Sequence, residues 1–389
     1  MAARDDLQAT AVRLSYLFAF AAAAALLPFS SIYYKSLDFS PQQIGVLLGI
    51  PLLTSVLATP AWGALADATH RHRAILLIAV AGAAAGAALI PTTDTYGLVA
   101  VFALVQAAMF APVNALLDNG ALTLLGARAE HYGRFRVWGT IGWGISAPLV
   151  GLVVADRGPR WIYPIYVVLM GGLLVAALRL PVSDRPPSER FGSRVRALAL
   201  SPSLWAFLTV AFLGGVGMSM INAYLPLYLN GMNATGLVGV ALLIATISEL
   251  PVMMMGPALL GRLGLPQAFI LALVLYGLRG LALSFAGSPW AVLALQLLHG
   301  PTFALMWVSG VALARRLAPP GVGAMAQGLF TSTSMGLGGA LGAVVGGRLY
   351  AHGGAPTTFR GAAVVLIVLV PVAAAFGAWL RRATVAEAA

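Results

Sequence analysis

The chain has 389 residues, 60% of them hydrophobic and 9% charged, with a mean hydropathy of +0.90. A soluble globular chain is roughly 25% charged, so no large soluble domain fits, and the formal net charge of +11 reads as membrane topology signals and not as a nucleic-acid surface. With no cysteine there is no disulfide, thiolate metal site or cysteine nucleophile.

Residues Met1 to Arg13 are polar and mixed in charge, and run into the first apolar stretch without a small-residue cleavage site. They are read as a cytoplasmic tail and not as a removed signal peptide. A bilayer-crossing helix needs about 20 apolar residues. Such segments are predicted at 14–34, 41–66, 74–92, 96–118, 134–155, 161–180, 203–229, 236–260, 266–287, 289–314, 324–350 and 358–380. Connections are short except 181–202, PVSDRPPSERFGSRVRALALSP, which is rich in Pro, Ser and Arg. The expected architecture is therefore all-α, with twelve transmembrane helices in two six-helix bundles, 1–180 and 203–389, joined by a cytoplasmic linker over 181–202.

Arg and Lys placement orients the chain. One set of loops holds 16 of the 23 basic residues, among them Arg71, Arg73, Arg128, Arg134, Arg262, Arg315 and Arg316, and the alternate set holds five: Lys35, Arg157, Arg160, Arg348 and Arg360. This places both termini and the linker on the cytoplasmic side. Prolines fall inside several segments (Pro51, Pro112, Pro148, Pro226, Pro251, Pro257, Pro301), which transmembrane helices tolerate when neighbours satisfy the freed carbonyls. Gly82-x-x-x-Gly86 and Gly338-x-x-x-Gly342-x-x-x-Gly346 predict close helix packing, with a minority role as hinges.

A charge at the bilayer centre costs roughly 2.5–3.5 kcal/mol on insertion scales. Five ionisable residues fall inside segments: Asp118, Arg136, Glu249, Arg279 and His299. Asp118 is expected to close segment four and Arg136 to open segment five. The two either face a cavity, where the planar fork of Arg and the acceptor oxygens of Asp suit hydroxyls or a carboxylate, or form a salt bridge that only sets packing. Glu249 lies mid-segment with no cation near in sequence. Burial disfavours a carboxylate anion, so Glu249 can load and release a proton, with Arg279 and His299 as partners. A lone His299 would more often be a packing residue. Neutral polar residues at depth (Gln106, Asn114, Asn119, Asn222, Gln296, Gln327) and aromatics with polar tips (Tyr33, Tyr34, Trp143, Tyr224, Tyr228, Trp307) complete the set, most of them core or interfacial. Asn222, Tyr224 and above all Trp143 are taken from these as candidate solute contacts.

The loop Gly63-Ala-Leu-Ala-Asp67-Ala-Thr-His-Arg71-His-Arg73 resembles the signature cytoplasmic loop of the major facilitator superfamily. That resemblance implies a conformational latch formed by Gly63, Asp67, Arg71 and Arg73, with Gly63 allowing close helix approach and Asp67 meeting a helix N-terminus and a basic partner. It departs at Ala68 and His70, where the family often has a basic residue and a glycine, and Gly256-Pro-Ala-Leu-Leu-Gly261-Arg262 is only a worn copy. The run Gly133-Arg134-Phe135-Arg136-Val137-Trp138-Gly139-Thr-Ile-Gly142-Trp143 is similar to the fifth helix of the lactose permease and phenylpropionate permease-like branch. The resemblance implies that Arg136, Trp143 and Asp118 hold the solute, and that Arg279, His299 and, with a three-residue shift, Glu249 match the charged residues of helices nine, ten and eight. The branch's proton-carrying glutamate just after the histidine is Thr302 here, which leaves Glu249 for that task.

The function expected is proton-coupled symport of a small organic solute (sugar, nucleoside or aryl carboxylate) by alternating access in a cell inner membrane. Its partners are the solute, protons and membrane lipid, with no nucleic acid, cofactor or metal, and the chain is read as a monomer. Competing readings are a proton-driven exporter, for which Ser146-Ala147-Pro148-Leu149-Val150-Gly151 is a poor echo of the antiporter motif, and a non-transporting receptor or scaffold. No nucleotide loop, metal cluster or nucleophile triad supports an enzyme.

Overall fold

The computed structural model describes residues 2–181 and 198–388. Most of the expected linker, including Arg185, Arg190, Arg194 and Arg196, lies outside the described residues. Among the described residues the regular structure is helical, with no strand.

In the first half the helices are α1 (Ala2–Leu26), α2 (Ser30–Ser36), α3 (Pro41–Thr69), α4 (His72–Leu89), α5 (Tyr96–Phe110), α6 (Val113–Leu125), α7 (Gly133–Arg157) and α8 (Ile162–Ala177). The second half has α9 (Pro202–Gly231), α10 (Leu237–Met254), α11 (Gly256–Leu263), α12 (Leu265–Ser284), α13 (Pro289–Gln296), α14 (Leu305–Leu317), α15 (Gly323–Thr331) and α16 (Gly339–Ala388). Several are halves of one membrane span, and the breaks have local causes. Proline has no N–H to donate and its ring crowds the carbonyl of the preceding turn, and Pro28 and Pro112 sit at the α1–α2 and α5–α6 breaks. Pro257 opens α11, where its missing N–H is not needed. Ser40 caps α3 in a reciprocal box, with Ser40 N to Gln43 Oε1 at 2.9 Å and Gln43 N to Ser40 Oγ at 3.3 Å.

Among the described residues eleven spans are long and apolar enough to cross a membrane, and the last, Gly323–Trp379, bends at Gly353–Gly354, where Gly354 has φ +68°. Twelve crossing helices result, as the hydropathy pattern predicts. Segment four is longer than expected: α6 runs to Leu125, so Asp118 lies two turns inside the helix and does not close it. The stretch Asn119-Gly-Ala-Leu-Thr-Leu-Leu begins with two helix-weakening residues and reads as a loop, yet buried Leu116, Leu117, Ala121 and Leu125 keep its helical stripe.

The chain divides into two compact units, Met1–Ser188 with Asn233–Leu242, and Glu189–Met232 with Leu243–Ala389. In the first unit α1 is the central helix, with 61% of its membrane window buried, mostly against α7 and α8. In the second, α9 is 72% buried, mostly against α16 and the π turn Ser332–Gly338 that leads into it. Both are built from small residues, which let neighbouring backbones close in. The glycine repeats do the same: a Cβ on Gly86 would meet the Gln106 backbone at 2.9 Å, and one on Gly342 would meet Ser219 Cβ at 2.8 Å. The outer faces are apolar, with Leu57, Val168 and Met254 at 72%, 73% and 83% exposure. Water would not tolerate such a surface on a monomeric soluble protein. The protein is integral to a membrane.

Candidate functional site

In the first unit Asp118 is half-buried on α6. Tyr16 on α1 donates its hydroxyl to Asp118 Oδ1 at 2.5 Å, and Tyr132 donates to the same oxygen at 2.8 Å. The two phenol rings meet edge to face with centroids 6.5 Å apart. Burial raises the Tyr132 phenol above its ordinary range, and the Asp118 carboxylate adds to this while Tyr16 and Arg136 oppose it, so Tyr132 stays a donor at physiological pH. Arg136 sits four residues after Tyr132, hence on the same helical face. Its guanidinium lies over the Phe20 ring at 4.0 Å and near the Tyr16 ring at 5.8 Å. Among the described residues Asp118 and Arg136 form no ion pair within 4 Å, so the salt-bridge reading does not hold. The acid is satisfied by hydroxyls and the guanidinium by aromatic faces, which leaves the N–H edges of the fork uncommitted. Trp143 follows Arg136 by seven residues and is half-buried on the same side of α7.

In the second unit Glu249 Oε1 lies 3.2 Å from His299 Nε2, with side chains 19% and 13% exposed. The imidazole stacks on Phe303, whose ring stacks in turn on Trp307. Arg279 is 1% exposed, hydrogen-bonds Gln296 Oε1 through Nη2, and has Tyr276 below it at 5.7 Å. Asn222 Nδ2 donates to the Tyr276 hydroxyl at 3.3 Å. Glu249 and Arg279 both lie within electrostatic reach of that hydroxyl. The three deep ionisable groups of this half therefore form one cluster on α10, α12 and the start of the π turn Gly300–Ala304, and Asn222 joins it. Tyr224 does not. It is fully buried, its hydroxyl donates to the Ala343 carbonyl at 2.7 Å, and its ring stacks on Tyr350.

Asp67 Oδ1 meets His72 Nε2 at 3.1 Å, and Arg73 donates to the Leu180 carbonyl at 2.7 Å, close to the C-terminal end of α8. Arg71 is exposed. Gly63 needs correction: it is exposed, and a Cβ there would have no atom within 4 Å, so it does not admit a close helix. His70 has φ +54°, a left-handed conformation where glycine is easier, which explains why a glycine is common at this place in the superfamily loop.

Tyr16, Phe20, Tyr132 and Tyr276 escape the sequence reading. Two signals were present: Tyr16 and Phe20 share a helix face at four-residue spacing, and so do Tyr132 and Arg136.

Twelve apolar crossings that bury ionisable clusters instead of excluding them define a transporter of the bilayer, not an enzyme. The chain matches the MFS_1 like family over residues 10–361 and belongs to it, within the major facilitator superfamily. It is 29% identical over 346 residues to the maltose permease of Geobacillus stearothermophilus, covering 87% of each chain. It is 24% identical to the putative nucleoside transporter YegT of Escherichia coli (strain K12), over 81% of this chain and 78% of that one. The fold is that of the nucleoside transporter NupG, with TM-score 0.85, 19% identity and coverage of 95% and 99%. The protein is a secondary transporter.

Proposed function

We propose that this chain is a proton-coupled symporter that carries a small organic solute across a cell inner membrane by alternating access. The reading rests above all on the Glu249–His299 contact: a carboxylate and an imidazole 3.2 Å apart, both largely removed from solvent, beside a wholly buried Arg279. Glu249 carries the proton, His299 links it to the solute, and Arg279 offers a compensating charge when the proton leaves.

Asp118, Arg136, Trp143, Asn222 and His299 are the proposed solute contacts. Tyr224 is left out because its hydroxyl is already engaged. Within the class of sugars, nucleosides and aryl carboxylates, the hydroxylated solutes fit best. Asp118 already accepts two phenolic hydroxyls, and an aryl carboxylate beside it would meet a like charge. Similarity to a maltose permease and to a putative nucleoside transporter supports this choice. The loop around Asp67 acts as the latch, the bundles are 1–180 and 203–389, and both termini face the cytoplasm. The protein works as a monomer without metal or cofactor.

The test is uptake of radiolabelled maltose and uridine by proteoliposomes, with and without an inward proton gradient. Accumulation above equilibrium is expected for one of them only with the gradient, and its loss in Glu249→Gln. Uptake indifferent to the gradient and to this substitution sinks the proposal.

A further inference from the structure

We infer that Ser248 is a positioning residue whose hydroxyl replaces a missing rung of the α13–α14 helix and thereby fixes where His299 stands relative to Glu249. The inference rests on the reading of Glu249 and His299 as the proton-handling pair.

The hydrogen bonds of the tenth span show the missing rung. α13 ends at Gln296, and Leu297 and Leu298 fall back on three-residue bonds to Ala294 and Leu295, each at 3.2 Å. In a continuous α-helix the Gly300 N–H would donate to the Gln296 carbonyl. Here it donates to Ser248 Oγ at 2.8 Å, and that oxygen lies 3.4 Å from the Gln296 carbonyl. The hydroxyl of one helix thus occupies the gap in the ladder of another. Its proton goes to Ala245 O at 2.7 Å within α10. A side chain inserted into the ladder is a recognised cause of a sharp bend, and the π turn Gly300–Ala304 follows at once, with Pro301 unable to donate. The Thr302 hydroxyl donates to the carbonyls of Leu298 at 2.9 Å and His299 at 2.8 Å.

The place of this insertion gives it meaning. Ser248 precedes Glu249, and Gly300 follows His299. A Cβ on Gly300 would lie 2.9 Å from the Glu249 nitrogen and overlap the Ser248 carbonyl, so the two backbones touch at this point. Glu249 and His299 are therefore held on either side of one backbone-to-hydroxyl contact. Among the described residues the ionisable groups facing the pair are Arg279 and Tyr276, both on α12, with Asn222 of α9 and Gln296 as neutral neighbours. None of these supplies the Gly300 N–H with an acceptor.

A helix contact that served stability alone would leave proton coupling untouched, and that difference is testable. Full-length Ser248→Ala, Ser248→Thr, Gly300→Ala and Glu249→Gln are reconstituted, with labelled maltose or uridine, whichever the native protein carries. Without the hydroxyl, Gly300 can donate to Gln296 and the helix can close, turning His299 away. Ser248→Ala should lose gradient-driven accumulation by about tenfold or more, as displacements near an ångström commonly do. The pH midpoint of its uptake should move by about one unit as the surroundings of the pair change. Solute exchange, with solute on both sides, should fall much less than accumulation, because Asp118, Arg136, Trp143 and Asn222 keep their places. Ser248→Thr keeps the hydroxyl and should restore the native profile, and Gly300→Ala should fail like Ser248→Ala. If Ser248→Ala does not insert, Ser248→Cys, with its weaker hydrogen bond, reads the same profile. A native pH profile and native accumulation in Ser248→Ala, alongside a Glu249→Gln that cannot accumulate, would overturn the positioning role and leave coupling intact. Accumulation by Glu249→Gln would bring down both.

Discussion

Tyr16 reaches across 102 residues of chain to donate its hydroxyl to Asp118 Oδ1 at 2.5 Å. Tyr132 uses the same oxygen, so Oδ2 has no protein donor among the described residues and is the atom a solute hydroxyl would meet. Hydrogen bonds to a charged group are worth about 1.5–3 kcal/mol. Tyr16→Phe removes one and leaves Tyr132, so the carboxylate remains satisfied but loses its fixed orientation. Solute affinity should fall about tenfold, the equivalent of about 1.4 kcal/mol, as read by loss of solute-induced thermal stabilisation. Native stabilisation in Tyr16→Phe would mean that Asp118 does not face the solute.

Arg136 and Phe20 lead to a sharper test. The guanidinium carbon lies over the ring, 4.0 Å from its centroid, which restrains the group while its N–H donors keep no protein acceptor among the described residues. Lysine keeps the charge but has neither the plane nor the fork. Arg136→Lys should therefore weaken solute binding almost as much as Arg136→Ala, whereas Phe20→Leu should cost only the cation–π share, about 0.5–2 kcal/mol. Native affinity in Arg136→Lys would show that charge alone is used.

Much of this is legible in the sequence alone. Each of the twelve crossings follows from its apolar run, and the five deep charges stand out because hydrocarbon admits so few. What could not be read was how those charges are satisfied. Asp118 and Arg136 lie on adjacent spans and look like a pair, but the choice between ion pair and separate partners depends on α1, which brings Tyr16 and Phe20 between them. Sequence separation hides this. The end of α6 was missed because Asn119 and Gly120 weaken helix propensity while packing of Leu117 and Ala121 overrides it. Ser248 was invisible for the same reason as Tyr16: its partner, Gly300, is 52 residues away.

The superfamily loop separates a tight role from a loose one. Gly63 faces open space, so Gly63→Ala should leave both melting temperature and transport rate unchanged. Asp67 meets the buried His72 at 3.1 Å with its own side chain 40% exposed, and asparagine keeps an acceptor oxygen for that imidazole. Asp67→Asn should thus melt close to the native protein. If the loop is a latch, initial transport rate should nonetheless fall severalfold with solute affinity unchanged. A native rate in Asp67→Asn removes the latch assignment.

Arg279 and Gln296 make the strongest claim on stability. The guanidinium is 1% exposed, hydrogen-bonds Gln296 Oε1 and has the neutral Tyr276 hydroxyl as its other side-chain neighbour. Removing a single partner of a buried charged interaction costs about 3–5 kcal/mol because the other group is left uncompensated, whereas replacing both by apolar side chains of similar size is often neutral or stabilising. Gln296→Leu should accordingly destabilise the protein in detergent more than Arg279→Met, since it strands the charge. Arg279→Met with Gln296→Leu should recover most of the loss, giving a large coupling energy in the double-mutant cycle. The double variant should still not accumulate solute, because the compensating charge beside Glu249 is gone. Additive melting shifts would show that the two residues do not depend on each other. Recovered stability together with native accumulation would confine Arg279 to a packing role.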